Sequence, residues 1–396
     1  MINLYPHQQN KIDKNTPKCL INFGTGTGKT TTALELAQHN NVNALIICPK
    51  SLKKMWEENT KRYPKQTHMI LTKEEFKRDH KTLPRFNAII VDEVHHFSGK
   101  SSALSKSLEK YIKTHNPHYV WLCTATAYRS TPWNIQRIAT FLGKAKPYTQ
   151  FINEYFYHVN MGGRMIPMIK SGIEDKIADW VRELADGDVV AMSDVVEVPE
   201  QTFETEYLEL TEEQKKGITD LDDSTFIARF THTHCIENGL LHGDGYTEDK
   251  SFECNKTKRI LELAQSVDKI AIVCRYNAQI AYYKSLLPDA FVINGEIKDR
   301  HAVVQAIEAS PRAVVLIQAQ CSEGYELPSV GLIVFASMSW SYLDYVQCIG
   351  RFLRINRLKK NKYIHLVIKD GYDEDIYNCI MQKKDFDIAI YEKKMV

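Results

Sequence analysis

Short runs of consecutive apolar residues recur along the chain, separated by stretches whose apolar positions fall at helical spacing. In the first part, the runs at 19–23, 44–48, 86–91 and 119–122 predict strands, and 31–38 follows the first of them as a helix. Apolar residues at consecutive rather than alternate positions suit strands covered on both faces, as in a parallel sheet with crossover helices. The same rhythm restarts near residue 255, with strands predicted at 270–274, 291–293, 313–317, 332–335 and 363–368. Between the two series the pattern changes. Residues 177–184 read as a helix, 202–210 alternates Phe203 and Tyr207 against Glu204 and Glu206 as a strand does, and Thr211 with Gln214 forms a capping-box pattern for a further helix. The expected organisation is a first α/β lobe over 1–150, a mixed, mostly helical inter-lobe segment over 151–254 with a strand near 202–210, and a second α/β lobe over 255–396. No solenoid period or low-complexity linker is present, so ordered structure should join the lobes, and no wedge hairpin or accessory domain is evident.

Composition bounds this picture without sharpening it. At 396 residues, 43% hydrophobic and 25% charged, the chain has room for two or three globular domains. Since 51 basic residues face 49 acidic ones, net charge gives no argument for nucleic acid. Local distribution does. Lys50, Lys53, Lys54, Lys61, Arg62 and Lys65 cluster after the second strand, and Arg351, Arg354, Arg357, Lys359, Lys360, Lys362 and Lys369 run without an acid among them. Both clusters suit a phosphate backbone, or simply a solvated face. Residues 174–223 are acidic instead, and should face solvent or a protein partner. The nine cysteines, lying within apolar runs, read as small core residues of a reducing compartment. With no signal peptide ahead of the first motif and no apolar run of the roughly eighteen residues a membrane span needs, a cytoplasmic protein is expected.

The chemistry gathers at three places. Gly24-Thr25-Gly26-Thr27-Gly28-Lys29-Thr30 follows the first strand and opens the first helix. Glycines free backbone N–H groups to wrap phosphate oxygens, Lys29 reaches β- and γ-phosphates, and the Thr30 hydroxyl can ligate magnesium. Phe23 stands where the general pattern has its first glycine. Asp92-Glu93-Val94-His95 sits at the end of the strand at 86–91, where open α/β sheets bind ligands. There Asp92 would hold magnesium and Glu93 would orient or deprotonate the attacking water. Gln347-Cys348-Ile349-Gly350-Arg351-Phe352-Leu353-Arg354 then supplies arginines able to complete a triphosphate site from the other lobe. His232, His234, Cys235, His242 and Cys254 include zinc-ligand types, but match no paired-ligand spacing and read equally as core or loop residues.

These motifs, in this order, resemble those of the superfamily-two helicases and translocases, whose likeness can be followed over most of the chain. Leu4-Tyr5-Pro6-His7-Gln8 looks like the adenine-recognising glutamine motif, with Gln8 as its functional residue. Pro49-Lys50-Ser51-Leu52 is similar to motif Ia, which touches the nucleic-acid backbone; Lys53 and Lys54 extend it. Thr124-Ala125-Thr126 matches motif III, which couples hydrolysis to movement. In the second half, 271–275 looks like motif IV with Arg275 as a nucleic-acid contact, followed by Asn294-Gly295 with Arg300. Glu323-Gly324-Tyr325-Glu326-Leu327-Pro328 occupies motif V, which implies nucleic-acid contact at Ser322 and nucleotide contact at Gly324 and Glu326. Gln347, Arg351 and Arg354 are motif VI. Motif V departs from the family at Gln318, where threonine or serine is usual, and at Glu326, where aspartate or asparagine is usual.

Within the superfamily the chain most resembles Swi/Snf-type translocases and their compact phage or bacterial relatives. The likeness lies in Trp56, in Thr131-Pro132-Trp133-Asn134, and in Val198-Pro199-Glu200 followed by Leu210-Thr211-Glu212-Glu213-Gln214. The resemblance implies two RecA-like parallel-sheet lobes of P-loop type, ATP and Mg2+ as cofactors, and a motor acting on nucleic acid, with duplex DNA favoured over RNA. An RNA-dependent ATPase and an ATP-gated clamp without motor activity remain the alternatives, and the acidic 174–223 leaves room for a protein partner.

Overall fold

The computed structural model describes residues 3–99, 102–128, 131–161, 164–241, 250–297, 299–321, 325–353 and 360–386. The chain forms two compact units, residues 1–197 and 198–396. The expected inter-lobe segment does not stand as a body of its own: 151–197 pack with the first unit and 198–254 with the second.

In the first unit, β1 (Lys18–Phe23), β2 (Ala44–Cys48), β3 (Met69–Thr72), β4 (Ala88–Val91) and β5 (Tyr119–Cys123) pair in parallel in the order β3-β2-β4-β5-β1. Successive residues feed opposite sides, which is why the apolar runs are unbroken. Leu20, Ile47, Ile89 and Leu122 enter one core, while Ile21, Ile46, Ile90 and Trp121 enter the other. Of the predicted strands, 44–48 is met at both ends, while β3 went unpredicted because Met69-Ile70-Leu71-Thr72 is short and only partly buried. Beyond β5, helices Trp133–Leu142 and Tyr148–Tyr155 lead into an antiparallel hairpin of β6 (Phe156–Met161) and β7 (Arg164–Ile169). Neither strand of this hairpin was predicted from the sequence. Helix Glu174–Leu184 then buries Ile177, Trp180, Val181 and Leu184 against the core, and β8 (Val189–Val190) joins the open side of β1.

The second unit repeats the architecture. β9 (Thr202–Leu208), a small ribbon of β10 (Leu240–Leu241) with β11 (Lys250–Ser251), and then β12 (Lys269–Cys274), β13 (Phe291–Ile293), β14 (Ala313–Gln318), β15 (Leu332–Phe335) and β16 (Lys362–Ile368) make up its strands. The main sheet is parallel throughout, in the order β13-β14-β12-β15-β16-β9. β9 ends where the alternating pattern fails, at Leu208, and lies on the sheet edge with Phe203 52% and Tyr207 50% exposed. The predicted capping box is formed: Gln214 N–H donates to Thr211 Oγ1 at 3.3 Å and Thr211 N–H to Gln214 Oε1 at 2.9 Å. The Gln214 amide reaches on to the carbonyls of Ile236 and Glu237, tying its helix to helix Phe226–Glu237.

A charged cluster lies inside this unit. The Lys256 ammonium, fully buried, donates to Asp373 Oδ2 (2.8 Å), Asn238 Oδ1 (2.8 Å) and the Ala336 carbonyl (2.7 Å). Asp373 also meets His234 Nε2 at 3.3 Å, while His234 Nδ1 meets the Tyr276 hydroxyl at 2.6 Å. Pairing with Lys256 and His234 overcomes burial, so the Asp373 carboxyl is held below the usual carboxylate range. The other candidate zinc ligands are placed in unrelated contacts, with His232 on Asp223 at 2.8 Å and Cys254 on Thr257 at 3.4 Å; His242 lies outside the described residues. Among the described residues no group of three or more metal-ligating side chains forms. All nine cysteines are free thiols, seven of them buried.

Candidate active site

Parallel pairing puts the C-terminal ends of β1, β4 and β5 along one edge of the first sheet, and the three motifs that follow these strands are brought together there. The ladder runs on past the strands. Asp92 N–H donates to the Ile47 carbonyl at 2.8 Å and Thr124 N–H to that of Ile21 at 3.2 Å.

The glycine-rich loop occupies residues 24–28, between β1 and helix α1 (Lys29–His39). Gly26 and Gly28 adopt positive φ (80° and 91°), which non-glycine residues resist. At Gly28 the space is closed as well, because a Cβ there would stand 2.3 Å from Gln8 Nε2. The N-terminal turn of α1 presents unpaired backbone N–H groups, the usual seat of a phosphate. Lys29 Nζ lies across the loop, held by the carbonyls of Phe23 (3.1 Å) and Gly24 (3.2 Å). Phe23 is explained by the sheet: it is the last residue of β1, fully buried and paired with Val190, and Gly24 N–H continues that pairing to the Val190 carbonyl at 2.7 Å. The turn therefore starts one residue late, where β8 has extended the strand.

Gln8, on the preceding helix Pro6–Lys14, is buried against the loop. Its amide donates to the Gly28 carbonyl at 3.1 Å and its Oε1 accepts from Tyr5 N–H at 2.9 Å. Sequence reasoning gave Gln8 to adenine and passed over His7, which meets the Thr27 carbonyl at 2.9 Å and packs edge-on against Phe23. A polar residue one position before Gln8 carried no periodic signal of its own.

The acidic pair is buried. Asp92 Oδ2 accepts from the Trp56 indole N–H at 2.8 Å and Oδ1 from Glu93 N–H at 3.0 Å. Burial pushes the Asp92 carboxyl up to about 7, Glu93 adds to the shift, and Trp56 and the Lys29 charge oppose it. Two carboxylates out of water with one lysine nearby favour a divalent cation, and the hard oxygens of Asp92 and the Thr30 hydroxyl fit magnesium, which takes its remaining ligands from water and phosphate. Trp56 was noted for family likeness alone; its partner could not be read from residues 36 positions apart. Trp56→Phe should leave Asp92 Oδ2 without its donor, destabilise the chain by about 1–3 kcal/mol in urea unfolding, and raise the magnesium concentration needed for turnover.

Glu93 has the left-handed backbone (φ 47°, ψ 53°), strained for a residue with a Cβ. That geometry brings its carboxylate to His95, with Oε2 3.2 Å from Nδ1. The same Nδ1 is 3.1 Å from Thr124 Oγ1, and Thr124 Oγ1 in turn accepts from Thr126 N–H at 3.0 Å. A continuous polar path therefore links the acidic pair to the two threonines after β5.

The residues proposed for nucleic acid are less uniform. Pro49 is buried, Lys50 and Lys54 are exposed, and Lys53 is ion-paired with Glu75 at 2.8 Å, whose carboxyl it holds below the usual range. In the second unit, the Arg275 guanidinium lies 3.9 Å from the ring centroid of Trp340. Tyr325 is buried and Glu326 exposed; Ser322 and Gly324 lie outside the described residues. Gln318 fills its unusual position by accepting from Gly295 N–H at 3.2 Å, which joins motif V to the Asn294-Gly295 segment. Gln347 and Arg351 are buried, on and just after helix Tyr342–Ile349. Arg351 is tied to motif V twice, through its carbonyl to Leu327 N–H (2.9 Å) and its Nη1 to the Tyr325 carbonyl (3.5 Å). Arg354, Arg357 and Lys359 lie outside the described residues.

Residues 2–83 match the family model described as type III restriction enzyme, res subunit, and residues 254–356 match that of the helicase conserved C-terminal domain. Curated proteins give no match. Among solved structures, the chain is similar to the SWI2/SNF2 ATPase core of Sulfolobus solfataricus, solved in complex with double-stranded DNA, at 17% identity and a TM-score of 0.41 over 96% of this chain and 91% of that one. No described helix is long and apolar enough to cross a membrane. A helicase-domain model thus matches the second parallel-sheet unit and a restriction-enzyme res-subunit model the first, which supports the superfamily-two helicase and translocase reading of the motifs.

Proposed function

We propose that this helicase-family ATPase is a translocase that hydrolyses MgATP to move along duplex DNA. The observation that supports coupling most directly is the path from Glu93 through His95 to Thr124 and Thr126, since it joins the acid beside the reacting phosphate to the motif that transmits its state. In this reading Gly24, Thr25, Gly26, Thr27, Gly28 and Lys29 cradle the phosphates, and Thr30 and Asp92 hold magnesium, which neutralises charge on the transferred phosphoryl group. Glu93 orients and deprotonates the attacking water. Arg351 and Arg354 stabilise charge in the transition state, and Gln8 fixes the loop while taking part in base recognition.

For DNA, the reading rests on the exposed Lys50 and Lys54 beside motif Ia. Phosphate contacts carry affinity without sequence information. ATPase rates with duplex DNA, single-stranded DNA and RNA test it: duplex DNA is expected to stimulate most, and stimulation by RNA alone would overturn it. Lys50→Ala with Lys54→Ala should weaken binding equally across sequences and reduce the salt slope by about one for each phosphate that is no longer neutralised, with basal hydrolysis kept. Lys53, committed to Glu75, is left out of that variant. The comparison decides against an RNA-dependent ATPase, and a clamp without movement would show the same stimulation without displacing a translocation reporter.

A further inference from the structure

A buried lysine ties the helix ahead of the phosphate loop to a turn far along the chain. Lys11 lies on helix Pro6–Lys14 and is 1% exposed. Its ammonium donates to the Ala185 carbonyl at 2.7 Å and to Asp186 Oδ2 at 3.0 Å, with Asp188 Oδ2 at 3.8 Å. Asp188 Oδ1 accepts from Asn10 and from Lys14, each at 2.8 Å, and the Asp186 carbonyl accepts from Lys14 at 2.8 Å. These acceptors share one tight turn after helix Glu174–Leu184, in which Asp186 and Gly187 have positive φ (54° and 83°). Burying an ammonium is costly, and an apolar side chain of similar volume would join helix to turn about as firmly. What the directed bonds add is a fixed register of one against the other.

Both halves of the phosphate loop depend on that register. At the other end of the same helix, His7 meets the Thr27 carbonyl at 2.9 Å and the Gln8 amide donates to the Gly28 carbonyl at 3.1 Å. From the turn, the chain runs directly into β8, whose Val190 carbonyl accepts from the N–H of Gly24, the first residue of the loop, at 2.7 Å. Gly24 is close-packed there, since a Cβ would stand 3.3 Å from Met192 N and 3.4 Å from the Val190 carbonyl oxygen. Helix, loop, β8 and turn therefore close a circuit, and Lys11 is its clasp. The segment after β8 continues to residue 197, where the first unit ends, so a displacement of that segment acts on Gly24. A glycine-rich loop released from such a circuit regains backbone freedom, and a site that is ordered for only part of the time binds its ligand more weakly in that proportion.

We propose that Lys11, with Asp186 and Asp188, is a positioning device that orders the phosphate loop before nucleotide arrives and ties it to the segment through which the chain leaves the first unit. The proposal rests on the nucleotide reading of the loop and adds to it residues that touch no phosphate. Lys11→Met with Asp186→Asn tests it. The two substitutions remove both charges of the closest pair together, and Asp188 keeps Asn10 and Lys14. Asp186→Asn alone, at a partly exposed acceptor, provides a milder variant of the same contact.

Well below the melting temperature of each protein, the double variant is expected to bind MgADP and MgATP about tenfold more weakly, with kcat at saturating ATP within about twofold of the parent. A loop ordered for about a tenth of the time has about a tenth of the affinity and reacts normally once filled. Asp186→Asn should show a smaller loss of the same sign. Coupling is reciprocal, so in the parent MgADP should slow hydrogen exchange over 189–196 as well as over 24–30, and in the double variant over 24–30 alone. Parental nucleotide affinity in both variants, with or without a lowered melting temperature, would reduce Lys11 to a packing role and overturn the proposal. Exchange over 189–196 that is indifferent to MgADP in the parent would overturn the tie to that segment. A parent that binds no nucleotide would instead overturn the reading of the loop itself.

Discussion

Glu93→Gln is expected to lower the rate of ATP turnover by about a hundredfold to ten-thousandfold while ATP still binds. The carboxylate meets His95, next in sequence to the buried Asp92 and in a strained backbone conformation that the surrounding structure maintains. Glutamine is nearly isosteric and can still hydrogen-bond His95, so the phosphate and magnesium contacts should persist while proton abstraction is lost. Lys29→Ala should behave differently, since it removes the cation proposed for the β- and γ-phosphates and so should weaken affinity as well as rate. Asp92→Ala should raise the magnesium requirement. Single-turnover phosphate release, with binding of a fluorescent nucleotide measured alongside, separates the three. Turnover by Glu93→Gln at the parental rate would remove that residue from the chemistry.

The second large effect is expected at motif VI. Arg351→Ala should reduce kcat by about a thousandfold or more, with a far smaller change in ATP affinity, because an arginine aimed at transition-state charge contributes little to the ground state. Arg351 is also buried and bonded to the Tyr325 carbonyl, so the alanine variant disturbs the packing of motif V as well as the charge. Arg351→Lys separates the two. Lysine keeps the charge and much of the stem but not the planar fork, so a lysine variant with a parental melting temperature and a large kcat defect supports the catalytic role. Arg354→Ala should show the same kcat-weighted loss. Parental turnover in both alanine variants would reduce motif VI to a structural helix.

Much of this site was legible because its chemistry is local in sequence. The phosphate loop needs glycines at fixed spacing, a lysine and a hydroxyl within seven residues, and nothing distant alters what those residues can do. The same holds for Asp92-Glu93 after its strand, and for the strands themselves, since burial on both faces leaves an unbroken apolar run in the sequence. Elements with weaker burial were not legible. β3 is only partly buried, and the hairpin strands leave apolar side chains in solvent, so neither carries the pattern by which a strand is recognised. The 151–254 segment looked separate because its composition changes, yet composition says nothing about which core a helix enters; Trp180 and Leu184 enter the first, while Phe230 enters the second.

The sequence by itself therefore determined the two parallel-sheet units, the phosphate loop, the acidic pair and the order of the helicase motifs, each through residues close together on the chain. Tertiary structure alone decided the partners of those residues. It gave Trp56 to Asp92, Gln8 and His7 to the phosphate loop, Glu75 to Lys53 and Trp340 to Arg275, and it joined Glu93 through His95 to Thr124. These pairings depend on which strands lie side by side and on how far each runs before it turns. Strand order in a parallel sheet is set by crossovers and by the packing of both faces, which no local pattern of residues encodes.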